Sequence, residues 1–225
     1  MNSKKKNIEA QIVEDFEKIR PAITRLLQTQ MKNDDLSLRY GRSKSNSKND
    51  IVINPSILVN TISKTNLDRD EVMIGTVVHE AIHATNNYSL DSESLNKLFP
   101  DELDDVEDID DVLEILTGPF GKYVFDILIH SIEEKIFVKQ YEGLNSILED
   151  IYTESFSEIK KLGNFSQYLS LLFHSITSYI DPEFENYKKP VVSSLNESLH
   201  ILKTLNYKNV NVSELIEATV QMVDI

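Results

Sequence analysis

Near the start of the chain Ile8, Ile12, Phe16 and Ile19 recur at helical spacing, and after Pro21 the rhythm resumes with Ile23, Leu26, Leu27 and Met31. A proline inside such a pattern predicts one kinked helix or two short ones. Leu36, Leu38 and Tyr40 then alternate with polar residues, and Ile51, Val52 and Ile53 form a β-branched run closed by Asn54-Pro55. The two runs flank the polar stretch RSKSNSKND at 42 to 50, so they predict a hairpin, the one convincing sheet signal in the chain.

From Asp68 onward the periodicity is helical. Asp68 with Glu71 three residues later reads as a capping box, and Gly75 is the single breaker between Val72 and Ala84. The segment VMIGTVVHEAIHA is apolar on nearly every side. It predicts a helix buried all round, whose polar residues His79, Glu80 and His83 belong in an interior or a cleft. A further long helix is expected from Pro119 to about Tyr141, ending near Gly143. Others follow at roughly 144 to 162, 164 to 180, 190 to 206 and 213 to 224, with Asn164 and Ser213 as N-caps. The acidic run DELDDVEDIDD at 101 to 111 reads as a solvated connector. The sum is a mainly α chain with a small β-sheet, an α+β class.

Composition narrows the chemistry. The 225 residues are 40% hydrophobic and 27% charged, which is globular rather than disordered. Lys and Arg number 23 against 37 Asp and Glu, a formal net charge of -14 that argues against nucleic acid as a partner and against phosphate ligands. With no cysteine, disulfides, Cys-ligated zinc and thiol nucleophiles are excluded together, and any metal must use His, Asp or Glu. The basic start MNSKKKNIEA has no apolar core behind it, and no run of about 18 apolar residues occurs, so a soluble, cytoplasmic protein with no membrane association is expected.

His79-Glu80-Ala81-Ile82-His83 is an H-E-x-x-H sequence. On a helix the i, i+4 spacing puts both imidazoles on one face, where they can grip one Zn2+ ion. Glu80 leaves the helix beside the metal rather than onto it, placed to take a proton from water there. The bland alternative makes both histidines ordinary hydrogen-bonded residues, but it leaves polar groups on an apolar helix at about 1 to 3 kcal/mol each. Asn86 and Ser89 stand where a metzincin would need Gly and His, so that branch is closed. The third ligand is then expected from a carboxylate on the later helix. In YVFDILIHSIEEKIF at 123 to 137, Asp126, His130 and Glu133 fall within about 60° of one another on an apolar helix. Glu133 is the first choice as ligand, Glu134 its rival, and His130 a substrate contact, oxyanion donor or outer-shell residue. Against this, Glu133 and Glu134 could start a solvated helix end, and Asp126 and His130 could bond each other. His174 and His200 read as helix-face histidines, and Tyr88, Tyr123 and Tyr141 as packing residues.

These elements resemble a zinc metallopeptidase domain, gluzincin-like, of the kind found ahead of von Willebrand A-like domains in bacterial and phage proteins. The resemblance spans about residues 36 to 140 and rests on IVINPSIL at 51 to 58, GTVVHEAIHAT at 75 to 85 and ILIHSIEEKIF at 127 to 137. The last is similar to that family's Asn-x-x-Glu-Asp element, whose Glu implies the third zinc ligand and maps to Glu133. His130 stands where the Asn is expected and Glu134 where the Asp is expected. The resemblance also implies a zincin-like core, with the strand at 51 to 53 as a cleft edge onto which a substrate chain could add.

The reading is a metallopeptidase-like domain over 1–142 and a helical C-terminal extension over 143–225 packed on it. Zinc is held by His79, His83 and Glu133, water is activated by Glu80, and the substrate is a peptide or protein. The alternative is a catalytically inert, metal-containing binding protein that occupies a protein partner through its acidic surface, such as a phage-encoded modulator acting in the host cytoplasm. A purely structural zinc is disfavoured by Glu80 beside the ligands, since structural sites more often use cysteine.

Overall fold

The structure, a computed structural model, describes residues 2–41, 49–64, 66–85, 97, 99, 108–139, 141–156, 158–180, 184–205 and 211–225. Helix α1 (Asn2–Met31) runs through Pro21 without a break, so the first apolar rhythm is one helix rather than two. Ile12, Phe16, Ile23 and Leu27 are buried along it in a single stripe. The Gln28 side chain donates to the carbonyls of Asp34 (2.9 Å) and Leu36 (2.8 Å) and so holds the turn into the first strand.

Strands β1 (Ser37–Tyr40) and β2 (Asp50–Ile53) pair in parallel, with Ser37 opposite Asp50 and Tyr40 opposite Ile53. The hairpin expected here is therefore wrong. Leu38, Ile51 and Ile53 are buried, and that alternation buries one face whichever way the strands run, so it carries no information on direction. The link between the strands can reach about 30 Å when extended, while a four-residue strand spans only about 13 Å, so a return path fits. Asp50 then clamps the pair, accepting from Ser37 Oγ (2.9 Å) and Arg39 Nε (2.6 Å).

Helices α2 (Pro55–Lys64) and α3 (Arg69–Thr85) follow, each started by an acceptor side chain. Asn54 Oδ1 takes the Ser56 N–H (2.9 Å), and Asp68 Oδ1 takes those of Asp70 (2.9 Å) and Glu71 (3.3 Å), so the expected helix start at Asp68 is present. The later helices are α4 (Ile109–Thr117), α5 (Gly121–Val138), α6 (Glu142–Phe156), α7 (Asn164–Thr177), α8 (Lys189–Leu202) and α9 (Val212–Val223).

Several expected boundaries move. The end of the acidic run is helical, because Asp108 Oδ1 accepts the Asp110 N–H (2.7 Å) and caps α4; residues 101–107 lie outside the described ones. Pro119 sits in a 3-10 turn over Gly118–Phe120, so α5 begins after it. Asn164 is the first residue of α7, behind Gly163, rather than its cap. The cap of α9 is Asn211, not Ser213: Asn211 Oδ1 accepts the Glu214 N–H (2.8 Å) while Glu214 Oε2 accepts the Asn211 N–H (3.4 Å).

The chain divides into two compact units, residues 1–86 with 141–156 and residues 87–140 with 157–225. In the first, α3 is the central helix, packed by α1, α2, β2 and α6. Arg69 at its start pairs with Asp15 of α1 at 3.2 Å. α6, which starts at the boundary expected between the two domains, contributes Leu144, Leu148 and Ile151 to this core. In the second unit α5 packs on α4, α7 and α9, and α7 on α8. Lys135 of α5 donates to the carbonyl of Ile176 (2.5 Å) in the last turn of α7, where a cation suits the helix dipole. Tyr168 of α7 and Ser198 of α8 share a buried hydroxyl bond of 2.8 Å. Among the described residues no helix is long and apolar enough to cross a membrane.

Candidate metal centre

Between Val72 and Ile82, α3 buries every residue except Ile74, His79 and Glu80, which are half-buried. A mostly apolar helix is thus enclosed, and His79 and Glu80 stand at the margin of that buried span while Thr76 lies within it. The backbone is helical through His83, so His79 and His83 are one turn apart on one face, with Glu80 beside them. The side chain of His83 lies outside the described residues.

His79 has a partner that sequence reasoning missed. Its Nδ1 lies 3.1 Å from the hydroxyl of Tyr152 on α6, and the two rings meet edge to face with centroids 6.2 Å apart. The sequence does carry a signal for it, because Leu144, Leu148 and Tyr152 are spaced i, i+4, i+8 and share the inward face of α6. α6 reaches α3 closely at Gly75, one turn before His79: a Cβ there would stand 2.7 Å from Ile151 Cδ1 and 2.8 Å from Ile147 Cγ2. Thr76, on the Glu80 side of the same turn, is buried, and its hydroxyl finds no hydrogen-bond partner among the described residues.

Of the two expected ligands on α3, His79 is the one whose side chain is described, and its chemistry suits zinc. Imidazole is a common zinc donor, and a ligating histidine usually engages its other ring nitrogen in a hydrogen bond, as His79 Nδ1 does with Tyr152. Among the described residues no three His, Cys, Asp or Glu side chains form a group able to hold a metal ion.

His130, Glu133 and Glu134 lie on α5 in the second unit. His130 is half-buried; Glu133 is half-buried with both carboxylate oxygens shielded from solvent; Glu134 is fully buried, at 0% exposure. The two glutamates are therefore not a solvated helix end. Asp126, one turn before His130, has its carboxyl pushed above the usual range by burial, with Lys122 pulling it the other way. His174 is enclosed in α7, where burial holds its imidazole down at about 4, while His200 is exposed on α8. Tyr123 is exposed, Tyr141 is half-buried, and Tyr88 lies outside the described residues.

A separate concavity of about 300 Å³ lies within the second unit, walled by Phe120, Val124, Phe165, Tyr168, Val191 and Met222 among others. Its polar lining is Asn164, Tyr168 and Ser194. No family model, curated protein or solved structure matches the chain.

Proposed function

We propose that the protein is a zinc-dependent peptidase centred on α3. His79 and His83 would hold the metal, with Glu133 as the third, charge-balancing ligand. When bound there, zinc polarises a peptide carbonyl and acidifies water. Glu80, next to the first histidine, would serve as general base and then general acid, holding a proton on its carboxylate and passing it to the leaving amine. His130 contacts the substrate or donates to the developing oxyanion. The observation that carries this reading is His79: half-buried on a helix whose flanking turns are mostly apolar, it has its Nδ1 held by Tyr152.

The decisive comparison is between the wild type and Glu80→Gln, measured for zinc content and for cleavage of an unbiased peptide library. About one zinc per chain in both, with hydrolysis only in the wild type, is the expected result. A wild type without zinc after preparation in zinc-supplied medium removes the reading. If both proteins carry zinc and are equally inert, yet hold the same partner protein, the chain is the binding protein rather than the enzyme.

A further inference from the structure

We infer that Tyr152 is a positioning residue that fixes which nitrogen of His79 faces the metal. This rests on α3 being a zinc site, and it concerns a residue from a distant stretch of chain, 73 positions away from its partner. The phenol oxygen lies 3.1 Å from Nδ1, and the bond is partly buried. Either group can donate: the imidazole through Nδ1–H, or the phenol through O–H with the ring proton on Nε2. The two arrangements have opposite consequences. A proton on Nε2 blocks ligation there, whereas Nδ1–H donating to Tyr152 leaves an Nε2 lone pair for the ion. Binding at Nε2 therefore selects the tautomer in which Tyr152 is the acceptor.

The ring packing supports the same role. The edge-to-face arrangement of the two rings, at 75°, restricts rotation of the imidazole about its own bond. The Gly75 contact fixes the distance at which α6 carries Tyr152 past α3. Tyr152→Phe removes only the oxygen and keeps the ring, so it separates the hydrogen bond from the packing.

The test is a competitive zinc titration of wild type, His79→Ala and Tyr152→Phe, with an unfolding midpoint for each and 15N-edited spectra of the histidine rings. His79→Ala should lose the zinc. Tyr152→Phe should fold normally and bind zinc about 10- to 100-fold more weakly, the usual range for an outer-shell partner. In the zinc-loaded wild type the His79 ring should be protonated at Nδ1 and metallated at Nε2. Equal zinc affinity in wild type and Tyr152→Phe, or metal on Nδ1, overturns the inference while leaving the zinc site standing. Loss of no zinc in His79→Ala overturns the zinc reading itself. Should Tyr152→Phe unfold, the wild-type spectrum alone decides.

Discussion

Gly75 and Ile151 stand so close that a methyl group on the glycine would lie 2.7 Å from the isoleucine Cδ1. Glycine inside a helix ordinarily costs about 1 kcal/mol relative to alanine, so propensity alone favours replacing it. The contact reverses the sign. Ile151 can swing its terminal methyl away, but the second clash, with Ile147 Cγ2 at 2.8 Å, involves a methyl on a β-branched carbon with little rotamer freedom. Overpacking costs about 1 to 3 kcal/mol. Gly75→Ala should therefore lower stability by a net of about 1 kcal/mol in denaturant unfolding, and weaken zinc binding by moving Tyr152 off His79. A raised midpoint would show that α6 gives way at no cost.

The acids of α5 separate by burial. Glu134 is fully buried, whereas Glu133 is half-buried. Glu133→Ala should reduce zinc affinity far more than Glu134→Ala, and Glu134→Ala should act on the unfolding midpoint instead, since removing a buried polar side chain disturbs its partners. His130→Ala should cost activity more than metal. Zinc titration and thermal melts of the three variants distinguish these outcomes. Zinc lost from Glu134→Ala or His130→Ala but retained by Glu133→Ala would mean a different helix register at the site.

His174 gives the second unit an acid-sensitive stability. Burial lowers its imidazole from the ordinary 6.5 to about 4. Above about pH 6.5 both the folded and unfolded forms are neutral, and the group contributes no pH dependence. Between about 6.5 and 4 the unfolded chain takes up a proton that the native site refuses, so stability falls as the pH falls, by up to about 3 kcal/mol, and levels off below that window. His174→Leu should flatten this part of the stability–pH profile relative to wild type. A profile with the same slope in both proteins would assign the acid sensitivity to other groups.

What could be read from the sequence follows the range of the interactions involved. Helix α3 and its cap are local matters: Asp68 reaches only two and three residues ahead, and the apolar run of α3 needs no knowledge of its neighbours. The direction of β2 is not local, since Ile51 and Ile53 bury the same face in a parallel or an antiparallel pair. Ser213 and Asn211 are both acceptable caps by type, and only the reciprocal bonds with Glu214 decide between them. At the candidate site His79, Glu80 and His83 were legible because one helical turn relates them. Tyr152 was not, because its relation to His79 exists only once α6 has packed against α3. Glu133, on α5 of the second unit, came from a resemblance rather than from spacing along the chain, which relates it to no residue of α3.

The first unit is built from two separated stretches, its last helix supplied by residues 141–156. During synthesis, at about 5 to 20 residues per second, the ribosome needs several seconds after finishing α3 before α6 exists to cover it. Throughout that interval the Gly75 and His79 face of the nascent helix has no α6 to close it, so the contact between Tyr152 and His79 forms late in translation. Any messenger or protease that ended the chain before residue 141 would leave a fragment carrying the complete H-E-x-x-H sequence but lacking the helix that orients its first histidine.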